Sequence, residues 1–338
     1  MFKKLSRSAV STAVLVAAAA VALAPTPASA APASASASAP VSASASAAPA
    51  PLSRARIAAH FDLSKGQTPE NLALAPGGAA YVTFAKARQI AEIAPDGTTR
   101  ILATLPKPAD GGIHTPALGF PLTVGIVRAH DGTLYFLYAT GTPDLTGVWR
   151  LRPGGQPQRI AALPAGGLPN GLALDPRTCT LYVTDSVLGT IWRVPTTGGT
   201  PTAWSTAPEL APAGFLGANG LKIHNGAVWA TNLDKGTVLR IPVLPDGRAG
   251  RVRTKATGLP GIDDFAFTGR GDQLLATLNG PGQVALVQPD GSHSIVLSQA
   301  DGLQNPTAIA LRGTSVYVTS AAYVTAQDPN LLRAHLNR

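Results

Sequence analysis

The chain has 338 residues, of which 45 % are hydrophobic and 13 % charged, with a formal net charge of +9 and one cysteine, Cys179. A single cysteine excludes an intrachain disulfide, so stability has to come from a large core or a bound ion. The basic residues are scattered, with no Lys/Arg run and no interleaved aromatic stripe, which argues against a nucleic-acid footprint.

Lys3, Lys4 and Arg7 precede an uncharged apolar stretch from Ala9 to Ala24, and Ala28-Ser29-Ala30 supplies a small-residue cleavage signal. This pattern predicts a secretory signal peptide over residues 1–30. The stretch is short of the ~20 apolar residues that span a bilayer as a helix, and no later segment does better, so the mature chain is expected to carry no membrane span. Residues 31–52 are almost wholly Ala, Ser and Pro. Such a segment cannot offset its ordering entropy by burial and is predicted to be a disordered linker. Secretion is therefore expected, with the linker suited to cell-wall association. The folded part is expected over 53–338, as a monomer.

One pattern then recurs along the chain: a turn, a short apolar strand, a Gly- or Pro-containing turn, an aromatic-bearing strand, then third and fourth strands. It reads PENLALAPGGAAYVTF from Pro69, TVGIVRAHDGTLYFLY from Thr123, PNGLALDPRTCTLYVTD from Pro169, ANGLKIHNGAVWATN from Ala218, GIDDFAFTGRGDQLLATL from Gly261 and PTAIALRGTSVYVTS from Pro306. Period-2 alternation bounded by Asp-Gly or Gly-Gly is a strand and hairpin signal. Units at intervals of about 44–54 residues match a four-stranded propeller blade. The prediction is an all-β, six-bladed β-propeller with four-stranded blades. The sixth unit lacks a fourth strand after Asn330–Leu336, and Ala55–Leu63 (ARIAAHFDL) is predicted to complete it, which protects both sheet edges.

In a propeller the innermost strand of each blade lines the central channel, so equivalent positions at its entry converge on one point. Here they are Glu70, Val124, Asn170, Asn219, Asp263 and Thr307. Two carboxylates (Glu70, Asp263) and two amides (Asn170, Asn219) form an all-oxygen set suited to Ca2+, and less to Mg2+ or Mn2+. No His/Cys cluster occupies these positions, which disfavours zinc. Asn-Gly is also a common turn dipeptide, so either asparagine alone would indicate only a turn.

The units LPNGLALDPRTCTLYVTDS and PENLALAPGGAAYVT resemble the senescence marker protein/gluconolactonase superfamily, whose relatives include paraoxonase-like lactonases and diisopropyl-fluorophosphatase-like phosphotriesterases. The resemblance covers nearly all of the ordered chain. It implies a catalytic calcium held by Glu70, Asn170, Asn219 and Asp263. Gluconolactonase-like members usually carry an Asn in the second blade, where this chain has Val124, so the arrangement is closer to the phosphotriesterase- and paraoxonase-like branch. The pair Asp263-Asp264 is similar to the Asp-Asn pair of the paraoxonase-like branch, which makes Asp264 a candidate extra ligand or a turn carboxylate.

The second strand of each blade returns to the channel mouth, so Asp185 and Asn232 at two of those ends are candidates for orienting ligands or substrate, or for capping a hairpin. His114, in the long connection GGIHTPALGFP, is the candidate general base, with a surface loop residue as the alternative. Phe84, Phe120 and Phe215 are candidate pocket walls or core. No nucleophile elbow, P-loop or dinucleotide fingerprint appears in a fitting context. Two functions remain open from sequence. One is a calcium-dependent hydrolase of a small-molecule lactone, ester or phosphotriester, with Asp263 or His114 as the acid–base group or Asp263 as nucleophile. The other is a non-catalytic exported propeller that binds a ligand or protein, with any metal serving structure.

Overall fold

The computed structural model describes residues 51–337. The predicted signal peptide, and the predicted linker up to residue 50, lie outside them. Among the described residues, twenty-four strands form six separate four-stranded antiparallel sheets, accompanied by three one-turn 3-10 helices at Leu63–Lys65, Pro208–Leu210 and Gln299–Asp301. The architecture is the six-bladed propeller expected. Blades one to five each run outward in chain order, beginning at inner strands Pro69–Leu74, Leu122–Arg128, Pro169–Asp175, Ala218–His224 and Ile262–Phe267.

Blade six begins at Pro306–Arg312 and takes its outermost strand from the start of the described residues. Leu52–His60 pairs antiparallel with Asn330–Leu336, from Leu52 opposite Leu336 to His60 opposite Asn330. The closing strand thus lies three residues earlier than Ala55–Leu63. Its end is set by Asp62, whose carboxylate accepts from the Ser64 and Lys65 N–H groups and caps the 3-10 turn that begins at Leu63.

Repeated Asp-Gly hairpins explain why the strands end where they do. Asp96, Asp131, Asp246 and Asp290 each accept the backbone N–H two residues on, the Asx turn that those residue types favour. The glycine between adopts positive φ, as at Gly97 (φ 91°), where a Cβ would also lie 2.5 Å from the Ala58 carbonyl oxygen of the closing strand.

The core is divided among the six interfaces between blades. Six apolar clusters are each shared by two adjacent blades, for example Leu137, Leu172 and Val183 between blades two and three, and Trp229, Phe265 and Ala276 between blades four and five. Alternate side chains of the second strands, buried along almost their whole length, therefore face opposite neighbours, which is what period-2 patterning with both faces apolar requires. Full burial of one Leu, Ile or Phe is worth roughly 1.5–3 kcal/mol, so the ring closes on many such terms without a disulfide.

Candidate functional site

Every inner strand carries a β-bulge near its start. The register slips between Pro69 and Asn71, Thr123 and Ile126, Pro169 and Leu172, Ala218 and Leu221, Ile262 and Phe265, and Pro306 and Ala308. Glu70, Val124, Asn170, Asn219, Asp263 and Thr307 are the first bulge residues of the six blades. Asn170-Gly171 and Asn219-Gly220 are thus bulges inside strands and not turn dipeptides. Bulges re-aim side chains, and here they do so at one end of the channel.

The glycines have a separate cause. A Cβ on Gly171 would overlap the Asn219 carbonyl oxygen, and one on Gly220 would lie 2.6 Å from Asp264 Oδ1. Adjacent inner strands approach too closely there for any side chain.

Opposite the bulge, the second strand carries a threonine in five of the six blades: Thr83, Thr184, Thr231, Thr277 and Thr319. Several of these hydroxyls tie a bulge to the next blade. Thr184 Oγ1 accepts from Gly171 N at 2.8 Å and donates to the Asn219 carbonyl. Thr231 donates to the Asp263 carbonyl at 2.6 Å, and Thr277 to that of Thr307 at 3.1 Å. Thr307 itself donates to the Pro69 carbonyl at 2.9 Å. The backbone of each candidate ligand in blades four and five is therefore held by the preceding blade. The repeated Val-Thr or Ala-Thr of the second strands was the available sequence signal.

Glu70, Asn170, Asn219 and Asp263, each 8 % exposed or less, line one cavity of about 300 Å3 at the channel mouth, together with Asn279 and Tyr323. The orientation of Asn170 follows from proton counting. Ser186 Oγ donates its only proton to the Ala218 carbonyl at 2.7 Å, so it can only accept from Asn170 Nδ2, at 3.1 Å. The Asn170 amide nitrogen is thereby occupied, and its carbonyl oxygen is left for the cavity. Asn279, at the position after the second strand that Ser186 holds in blade three, donates to Asp263 Oδ2 at 3.3 Å and to the Pro306 carbonyl. Asn219 lines the cavity with no side-chain hydrogen bond to another described residue. Tyr323, from the loop after the second strand of blade six, donates its phenol proton to Glu70 Oε2 at 2.5 Å.

These carboxylates sit in an electrostatically unfavourable place. Burial pushes Glu70 up to about 7, against the lowering effect of the Tyr323 hydrogen bond, and the Asp264 charge adds to the rise. Burial first, then the Glu70 and Asp264 charges, hold Asp263 well above the usual carboxylate range, although Asn279 and Lys222 oppose this. Desolvated carboxylates without a protein cation between them fit a divalent ion. The donors are all oxygen, as hard cations prefer. Among the described residues no three His, Cys, Asp or Glu side chains are grouped to hold a metal; the set here mixes two carboxylates with amides.

Asp264 has a different partner. Its Oδ1 lies 2.5 Å from the Lys222 ammonium, and it does not line the cavity. Lys222, which sequence reasoning missed, projects from the inner strand of blade four and lines a second cavity of about 560 Å3 along the other half of the channel. A lone lysine in the apolar run GLKIH was the available signal.

Neither Asp185 nor Asn232 reaches the cavity. Asp185 Oδ1 accepts from the backbone N–H groups of Leu168, Val187 and Leu188. Asn232 donates to the Glu209 and Ala211 carbonyls and accepts from Lys235 N. Both close hairpin ends.

His114 is also outside: it is exposed in its loop, with Nε2 2.8 Å from Asp110 Oδ2, and none of the six histidines lines the cavity. The long connection does build the wall, but through Leu118 and Phe120. Phe215 is a wall residue as well, whereas Phe84 is fully buried and packs edge-on against Phe61 at 4.8 Å. Lys86, Asn279 and Tyr323 are cavity residues that sequence reasoning did not find; they lie in segments that follow second strands, where the repeat has no fixed pattern.

Fold and site together define a six-bladed propeller with an oxygen-lined candidate cation site at one mouth of its channel. Solved structures share the architecture. Regucalcin from Agrobacterium tumefaciens, described as a calcium-binding protein, is 15 % identical with a TM-score of 0.62, over 85 % of this chain and 96 % of the other. A protein provisionally designated a gluconolactonase is 16 % identical with a TM-score of 0.60, over 84 % and 92 %. Virginiamycin B lyase from Staphylococcus aureus, in a catalytically inactive form with quinupristin, is 18 % identical with a TM-score of 0.58, over 81 % and 82 %. At these identities the likeness carries the fold. No family model and no curated protein matches the sequence.

Proposed function

We propose that this protein is an exported, calcium-dependent hydrolase of a lactone, ester or phosphotriester, acting at the channel mouth. The observation that carries the reading is the convergence of Glu70, Asn170, Asn219 and Asp263 on one cavity, with both carboxylates buried and raised in pKa. The calcium-binding description of one structural relative supports the choice of ion. A bound calcium supplies Lewis acidity toward a carbonyl or phosphoryl oxygen.

The chain's own residues do the rest. Glu70 and Asp263 provide the balancing negative charge, with Tyr323 and Asn279 each fixing one of their oxygens. Asn170, anchored by Ser186, presents a neutral oxygen. Asp263 is the acid–base group: it takes a proton from water as the water oxygen bonds to the carbonyl carbon or phosphorus, and returns it to the departing alkoxide. Water is added across one C–O or P–O bond, and no redox partner is needed. Direct attack by the Asp263 carboxylate, followed by hydrolysis of the acyl or phosphoryl intermediate, has the same balance. Leu118, Phe120, Leu216 and Leu233 make the walls apolar, which strengthens electrostatics inside the site.

Assays of lactones, aryl esters and phosphotriesters, with and without chelator, test this. Turnover abolished by chelation and by Asp263→Ala is expected; turnover that survives both rejects the mechanism.

The absence of an imidazole from the cavity lining favours a second reading, an exported propeller that binds a ligand or protein and uses the ion for structure. On that reading chelation lowers the melting temperature while no substrate is turned over.

A further inference from the structure

The lining of the cavity includes one cationic side chain, Lys86. It follows the second strand of blade one in a turn whose backbone is tightly held. Ala85 N donates to the Thr68 carbonyl, Lys86 N to Thr68 Oγ1 and Ala87 N to the Gly66 carbonyl. From that turn the Lys86 ammonium reaches over two aromatic faces, 4.9 Å from the centroid of Phe120 and 5.5 Å from that of Tyr323. The rings themselves lie 6.1 Å apart.

Among the described residues no carboxylate lies within ion-pair distance of Lys86. Glu70 and Asp263 line the same cavity yet do not pair with it, so floor and rim are separate charges. Phe120 also forms part of a neighbouring hollow of about 230 Å3 bordered by Arg88 and Lys107, which extends the positive character of this rim. The opposite wall is apolar, with Phe215, Leu216 and Leu233. Lys86 is an exposed residue, but the two π faces hold its ammonium in place, so an added anion loses less side-chain freedom there than at a lysine without such contacts.

We propose that the preferred substrates carry a negatively charged group, a carboxylate in the first instance, a few bonds from the scissile carbonyl, with that charge on Lys86 and the apolar remainder against Phe120 and Phe215. This rests on the hydrolase reading for turnover, but the binding preference stands without it.

The test uses a matched pair: mono-4-nitrophenyl glutarate, which bears a carboxylate, and 4-nitrophenyl pentanoate, its neutral counterpart. The readout is the ratio of their KM values in the calcium-loaded protein. The wild type is expected to favour the anion by about fivefold or more, the preference shrinking as salt is raised. Lys86→Met should bring the ratio to about one, Lys86→Glu should invert it, and Lys86→Arg should keep it. Equal KM values in the wild type overturn the proposal. So does a preference that survives Lys86→Met, which would assign the carboxylate to the ion.

The same comparison by calorimetry, with the non-hydrolysed glutaric acid monoanilide and pentananilide, separates the two readings. Turnover of neither ester, with the anilide preference intact and dependent on Lys86, rejects aryl-ester hydrolysis and leaves the anion site standing. Indistinguishable anilide affinities, or no binding of either, reject the anion site.

Discussion

The Lys222 ammonium lies 2.5 Å from Asp264 Oδ1 inside the central channel, one residue beyond the candidate ligand Asp263. Asp264 is almost fully buried, its Oδ2 has no hydrogen-bond partner, and burial raises its pKa although Lys222 opposes the rise. The chain thus brings three carboxylates into one channel and neutralises one of them internally. Removing the lysine should leave a buried charge uncompensated, which typically costs about 3–5 kcal/mol. Since Lys222 is partly exposed, the lower end is expected. Lys222→Met should lower the melting temperature by roughly 6–12 °C, and the double variant with Asp264→Asn should recover most of the loss. A double variant as unstable as the single one would contradict the pairing.

Stability of the calcium-free protein should depend on pH in a direction opposite to that of an ordinary ion-paired acid. Glu70 titrates near 7 in the fold, above its ordinary 4.5, and Asp263 is shifted the same way. The folded state therefore holds protons that the unfolded state has released. The contribution is fully present below about pH 4.5 and is lost as pH rises through about 7. With saturating calcium the trend should reverse, because the ion needs both carboxylates ionised. Melting temperatures between pH 4.5 and 8, with chelator and with calcium, check this; parallel curves would refute it. Tyr323→Phe removes the hydrogen bond that favours the Glu70 anion, so the pH midpoint of calcium binding should move upward.

Ser186 does not line the cavity, yet it decides which end of the Asn170 amide faces it. Ser186→Ala should lower calcium affinity about tenfold, the lower bound for losing a group that orients a metal ligand, and should cost the calcium-free protein about 1–3 kcal/mol, because the buried Ala218 carbonyl and Asn170 amide lose their partner. Calorimetric titration beside Asn170→Ala and Glu70→Gln would show it. Unchanged metal content in the latter two variants would remove the axial site altogether.

Gly171→Ala drives a methyl group into the Asn219 carbonyl and to 2.8 Å from Thr184 Oγ1. Backbone has to move, and it is the backbone that carries the Asn170 and Asn219 side chains. The variant should lose stability and calcium affinity together, by about 1–3 kcal/mol in folding. Gly166→Ala, in open space, serves as control. A Gly171→Ala protein with wild-type melting temperature and affinity would contradict the close approach.

Much of this protein is determined by the sequence itself. Strand alternation and Asp-Gly turns are local signals, so six blades, their four strands and the closing N-terminal strand could be read in advance; the closing strand shifted by three residues only because Asp62 caps a 3-10 turn. The repeat also converts position into place. Glu70, Asn170, Asn219 and Asp263 share one register, and a ring of blades brings that register to one channel mouth. What needed the tertiary structure are the partners, because each is chosen by a chain segment distant in sequence. Lys222 and Asp264 meet across two blades, Tyr323 reaches Glu70 from the far end of the chain, and His114 turns away to Asp110 while Phe120 of the same loop faces the cavity. Repeats fix backbones by local physics; the orientation of a side chain in a shared cavity depends on which groups surround it in space.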